Sequence, residues 1–91
     1  CYIMEEANIA FPAQNRTELS KRILEDHALP DFAKAPSRVS YMDGCKVYFS
    51  DDSFVVCRFS GTEPLLRIFA EAHTQAEAQQ YISAWKSMLG L

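Results

Sequence analysis

Between Arg58 and Arg67 the chain sets two guanidinium groups around Ser60, Gly61 and Thr62. Each arginine offers a planar fork of N–H donors that matches phosphate oxygens. The Ser60 and Thr62 hydroxyls add donors on either side of a glycine. Gly61 is expected to adopt a positive φ, so that successive backbone N–H groups point into one concavity. Together these parts make a metal-free site for a dianion. A phosphate ester, with roughly −1.5 to −2 charges near neutral pH, suits it better than a carboxylate. Spacing alone leaves a second reading open. In that reading Ser60–Thr62 is a polar β-turn, and its arginines are solvated or paired with Glu63 and Glu71.

The elements that must position these residues are legible from periodicity. Residues 2–10 are expected to form a short strand anchored by Ile3, Ile9 and Phe11. Asn15 is expected to cap a helix, with Glu18 reaching back to it. Leu19, Ile23 and Leu24 follow at helical spacing, and the helix must stop before Pro30. Residues 29–37 read as a connecting loop. Val39 and Tyr41 alternate with Ser40 and Met42, and Asp43–Gly44 supplies a turn that needs positive φ. Cys45, Val47 and Phe49 alternate with Lys46, Tyr48 and Ser50, as a half-buried strand requires. Asp51–Ser53 is a second turn, and Phe54–Cys57 a third strand. After the polar loop Ser60–Pro64, Leu65–Ala72 resumes as a strand with Leu66, Ile68 and Ala70 on one face. Thr74 with Glu77 forms a capping box for a last helix. Its apolar stripe is Ala78, Tyr81, Ile82, Trp85, Met88 and Leu89, which reads as core. The order predicts a two-layer α+β domain, with an antiparallel sheet of four to five strands and two helices on one face.

Composition limits the partners. Nine Lys and Arg against twelve Asp and Glu give 91 residues a net charge of −3, with 48% apolar residues. That is a globular balance without the basic stripe of a nucleic-acid binder. No apolar run approaches a membrane span, and no signal peptide is visible, so no membrane partner is expected. Cys1, Cys45 and Cys57 are odd in number and far apart, and they read as reduced, cytosolic thiols. His27 and His73 stand alone and are not expected to bind metal or move protons. Because the chain starts at Cys1 rather than Met, it is expected to be a piece of something longer.

The string Arg58-Phe59-Ser60-Gly61-Thr62-Glu63-Pro64, followed by Leu65-Leu66-Arg67-Ile68-Phe69-Ala70-Glu71-Ala72, resembles the C-terminal domain of the α-D-phosphohexomutases. That superfamily includes phosphoglucomutases, phosphomannomutases and phosphoglucosamine mutases. Asp43-Gly44-Cys45-Lys46-Val47 resembles its D-G-x-K-V hairpin. Asp51-Asp52-Ser53-Phe54-Val55 resembles its D-G-S-W-V turn, with Asp52 where the family often has glycine. Phe59 stands where the family often has Pro or Ala. The likeness is close over residues 39–89 and loose over the first 38.

The resemblance implies a TATA-binding-protein-like fold, and residues 1–91 as one C-terminal domain of a larger enzyme. It implies that Arg58, Ser60, Gly61, Thr62 and Arg67 bind the non-transferring phosphate of a hexose phosphate. Glu63 and Pro64 shape the loop. The parent would be an isomerase that moves a phosphoryl group between sugar hydroxyls through a bisphosphorylated intermediate. Since that intermediate must turn over, the site must accept either end. The phosphoserine, the Asp-rich loop for Mg²⁺ and the sugar-reading loop would lie in other domains of the parent chain. No cofactor is expected in residues 1–91, and the isolated chain is expected to be inactive. The alternative is a stand-alone phosphosugar-binding or regulatory module. A nucleic-acid role would rest on fold alone, and fold does not carry function.

Overall fold

The computed structural model describes residues 1–91. Five strands, β1 (Ile3–Ala10), β2 (Arg38–Ser40), β3 (Cys45–Tyr48), β4 (Phe54–Phe59) and β5 (Leu65–Ala72), form one sheet in the order β1-β5-β4-β3-β2. Every pairing is antiparallel. β2 to β5 run as a meander, and β1 joins on the far side of β5. The chain therefore crosses the sheet once, between β1 and β2, and the first helical segment lies on that crossing. Both edges are protected: β2 has three residues, and the longer edge strand β1 carries Glu5 and Glu6.

Alternation fixes the two faces. In β5, Leu66, Ile68, Ala70 and Ala72 are fully buried, whereas Arg67 between them is exposed. In β4, Val55 and Cys57 are buried and Arg58 is exposed. The buried face packs on helix α2 (Gln75–Leu89), whose inward stripe is Ala78, Tyr81, Ile82, Trp85 and Leu89. Met88, expected on that stripe, is half-buried at its margin. Thr74 Oγ1 accepts from the Glu77 N–H at 3.1 Å, as an N-cap should. The Glu77 carboxylate bonds the Thr74 hydroxyl rather than its backbone N–H, so the capping box closes between side chains. Gly90 ends the helix at φ 70°, with the Leu91 N–H reaching back to the Lys86 carbonyl at 3.0 Å. This is the expected α+β architecture, with a five-stranded sheet and helices on one face, consistent with the TATA-binding-protein-like arrangement.

The first helical segment departs from expectation. A 3₁₀ turn (Ala13–Asn15) leads into α1 (Arg16–Ser20), and a π turn (Lys21–Glu25) follows. Asn15 makes no capping bond. Its backbone is already helical (φ −88°, ψ −4°), because the turn begins three residues earlier, at Pro12. The segment closes at His27 (φ 55°), with the Ala28 N–H on the Arg22 carbonyl. Leu19 and Ile23, one helical turn apart, are buried in the same core as Trp85 and Leu66. β2 also ends sooner than its alternation suggests. Tyr41 leaves the sheet to stack on His27 at 3.9 Å, so the connection to β3 has four residues, of which Gly44 alone takes positive φ (72°).

Candidate anion site at the β4–β5 turn

Arg58 and Arg67 are register partners on β4 and β5, and both project from the face that carries no helix. Like charges directly opposite across a sheet are destabilising. One guanidinium is partly neutralised: Arg58 Nη1 lies 2.8 Å from Asp43 Oδ2. Arg67 forms no ion pair or side-chain hydrogen bond, and neither arginine pairs with Glu63 or Glu71. The Arg58–Asp43 pair is largely solvent-exposed and contributes little stability, so it yields readily to a stronger anion. The two arginines border a groove of about 570 Å³, floored by Val56 and Phe69 and edged by Glu6 and Lys46.

Gly44 makes this arrangement possible twice over. Its φ of 72° is costly for other residues, and a Cβ there would lie 2.5 Å from Arg58 Cβ and 2.6 Å from the Cys57 carbonyl oxygen. The Asp43–Gly44 turn is thus pressed onto β4, and Asp43 reaches Arg58 from that position.

The turn itself differs from expectation. Gly61 does not adopt positive φ. Ser60 folds the turn instead. It is 4% exposed, and its Oγ accepts from the Thr62 N–H at 3.4 Å and the Glu63 N–H at 3.3 Å. With the hydroxyl closing the turn, left-handed backbone is not required. A Cβ on Gly61 would meet nothing within 4 Å, so the chain's own packing does not demand glycine there. Gly61 and Thr62 are exposed; the Gly61 N–H has no partner in the chain, and the long bonds from the Thr62 and Glu63 N–H groups to Ser60 Oγ are weak enough for a ligand to compete with them. The Ser60 N–H bonds the Leu65 carbonyl at 3.0 Å, and the Pro64 carbonyl accepts from the Phe11 N–H at 3.0 Å, tying the loop to the end of β1. Of the loop-shaping pair, Pro64 therefore acts through its carbonyl. The Glu63 carbonyl accepts from the Leu65 N–H at 2.8 Å.

The structure adds a residue that the sequence reading missed. Arg16, from the start of α1, donates to the Ser60 carbonyl at 3.0 Å and lies 3.5 Å from that of Glu63. Its guanidinium stands 5.0 Å from the Phe59 ring centroid. A partner 44 residues away leaves no local signal in the sequence.

Other candidate groups lie elsewhere. Ser53 is fully buried and bonds Tyr81 Oη at 2.7 Å. Cys45 and Cys57 are fully buried core groups, and burial pushes the Cys57 thiol up to about 12. His73 Nε2 sits 2.7 Å from the Asp51 carbonyl. No three His, Cys, Asp or Glu side chains come together in a group that could hold a metal ion.

With this geometry in hand, the comparisons with known proteins are decisive. The family described as phosphoglucomutase/phosphomannomutase, C-terminal domain, matches residues 6–85. The chain belongs to that family. It is 44% identical over 45 residues to a phosphoglucomutase/phosphomannomutase of Thermococcus kodakarensis, which covers 50% of the chain and 10% of that protein. It is 30% identical over 74 residues to a phosphopentomutase of the same organism, covering 81% of the chain and 16% of that protein. A probable phosphoglucosamine mutase of Methanosphaera stadtmanae is 56% identical over 34 residues, 37% of the chain and 8% of the relative. The chain therefore spans less than a fifth of the length of each of these phosphomutases. No helix is long and apolar enough to cross a membrane.

Proposed function

We propose that residues 1–91 act as the C-terminal domain of a sugar-phosphate mutase and hold the non-transferring phosphate of its substrate. The carrying observation is the opposed pair Arg58 and Arg67, with Arg67 unpaired, on the helix-free face of the strands that the Ser60–Thr62 turn joins. A bound dianion removes the repulsion between the arginines and takes up Arg67's unused donors. Gly61 and Thr62 supply exposed backbone N–H groups, and Ser60 holds the turn in shape. Glu63 and Pro64 anchor the loop.

This domain's share of catalysis is positional. Holding one phosphate fixes the sugar relative to the reacting groups, and anchoring remote from the reacting atoms is converted into rate. Phosphoryl transfer and Mg²⁺ chemistry belong, in this reading, to the rest of the parent chain. A site built from arginines and backbone amides reads phosphate rather than the ring, as a turnover of the bisphosphorylated intermediate demands. The relatives' names agree with that economy, since they include mutases of both hexose and pentose phosphates. A hexose phosphate is the substrate class that the motif's resemblance implies for the parent chain, and the sugar itself is read, in this proposal, outside residues 1–91.

A titration of the ¹⁵N-labelled chain with inorganic phosphate tests the assignment. The amides of Ser60 to Glu63 and the arginine Nε signals should move together and saturate. Arg67→Met should weaken binding by about 1.5–3 kcal/mol, tenfold or more, as expected for a charge-assisted contact. Silent loop amides with a response on another surface would sink the assignment.

A further inference from the structure

We infer that Arg16 is a positioning residue for the anion site, acting by fixing the orientation of the Ser60–Gly61 peptide. The inference rests on the phosphate reading of the loop and deepens it. All peptide bonds in the chain are trans, so a carbonyl and the N–H that follows it point in opposite directions. Arg16 Nη2 draws the Ser60 carbonyl toward α1 at 3.0 Å. The Gly61 N–H of the same peptide therefore points away from α1. Gly61 is exposed, and its N–H is bonded to nothing in the chain, whereas the Thr62 and Glu63 N–H groups already face Ser60 Oγ. Gly61 is thus the loop amide left free for a ligand, and Arg16 sets its direction.

An arginine suits this task for a specific reason. Its rigid fork spans two carbonyls, Ser60 at 3.0 Å and Glu63 at 3.5 Å, while its plane rests near Phe59. Both ends of the turn are thereby referred to one group on another element. Without it, the Ser60–Gly61 peptide is free to rotate and to present its carbonyl to the incoming anion, which repels it. Arg16 contributes through that peptide and does not itself touch the ligand.

The test follows the Gly61 amide of the labelled chain through a titration with inorganic phosphate, in wild type, Arg16→Met and Arg16→Lys. The wild-type Gly61 proton should move downfield as it bonds the anion. Arg16→Met should abolish that movement and raise the phosphate Kd about tenfold, the value of one charge-assisted hydrogen bond. Arg16→Lys keeps the charge but cannot fork, and should restore only part of the Gly61 response. Well-dispersed spectra of the variants show that the fold is kept. A variant that binds weakly while its Gly61 shift at saturation equals the wild type's would reduce Arg16 to a long-range charge and overturn the inference. So would an Arg16→Lys chain indistinguishable from wild type. If wild-type loop amides ignore phosphate, the phosphate reading falls and this inference falls with it. A responsive wild type with an equally responsive Arg16→Met condemns the Arg16 inference alone.

Discussion

Gly44 and Asp52 both take φ of 72°, in the two hairpin connections that flank β3, yet one is glycine and the other is not. At Asp52 the loop is a turn closed by the Asp52 N–H on the Phe49 carbonyl, followed by the left-handed residue and the Phe49–Ser53 backbone bond. This three-residue hairpin ordinarily puts glycine at the left-handed position. Asp52 is exposed and its side chain makes no hydrogen bond, so the strain has no local compensation. Asp52→Gly is expected to raise stability by about 0.5–1 kcal/mol, the left-handed penalty less the added freedom of the unfolded chain. Gly44→Ala should act the other way. Left-handed strain adds to contacts near 2.5 Å with Arg58 Cβ and the Cys57 carbonyl, for a loss of about 3 kcal/mol. Denaturant midpoints of the two variants, read against wild type, decide both. A neutral Gly44→Ala would mean that the turn is not pressed against β4 as described, and Arg58 would lose its mould.

At the scale of elements, the long connection from the first helical segment to β2 is seated in the core by Phe32 and clasped by one lysine. Lys34 bridges Asp51, in the β3–β4 turn, and Glu77, in the first turn of α2. Asp51 also accepts from the Ser53 N–H at 3.0 Å, and Ser53 in turn meets Tyr81. Lys34, first, and then Ser53 hold the Asp51 carboxyl well below its ordinary value of 3.8, and Lys34 likewise lowers Glu77 from 4.5. Depressed native carboxyls stabilise fully above about pH 4.5, and that stabilisation is lost as pH falls through their native values. Lys34 is raised above 10.5 by the same contacts, so its contribution fades only as pH rises past that point. Lys34→Met should therefore lower Tm near neutral pH, and the gap to wild type should close below about pH 4. A gap that stays constant from pH 7 to pH 2 would exclude the clasp. Neither this clasp nor Arg16 was legible in the sequence, because both join elements whose separation along the chain carries no periodic signal. The strands and α2 were legible, because a buried face imposes alternation in Val55–Cys57 and a helical stripe in Ala78–Leu89. Asn15 misled for a physical reason. It is a good cap by type, but the 3₁₀ turn before it had already made its backbone helical. Gly61 misled similarly, since Ser60 Oγ performs the folding that a left-handed glycine would have done.

For the whole molecule, the question is whether the platform beneath the arginines opens in parts. The sheet, α2 and the first helical segment share a single buried cluster, so loosening one layer exposes the others. Cys45 and Cys57 sample its centre: they are register partners, fully buried, on the strands under Asp43–Gly44 and Arg58. Burial raises both thiols, so neither reacts in the closed state. Cys1 is exposed. A thiol reagent at pH 8 should label Cys1 at once. It should label Cys45 and Cys57 slowly, at matching rates whose denaturant dependence equals that of global unfolding. A faster Cys45 with a shallow denaturant slope would show that the short β2 edge and β3 open on their own. Phosphate sharpens the measurement, because a ligand that binds only the folded chain scales the open population by 1 + [L]/Kd. At about 100 Kd, labelling of both buried thiols should slow about 100-fold together, while Cys1 is unaffected. Protection of Cys57 without Cys45 would mean that phosphate stiffens β4 locally. Equal protection would mean that the anion is held by a platform that opens only when the whole chain does, as the anchoring role proposed above requires.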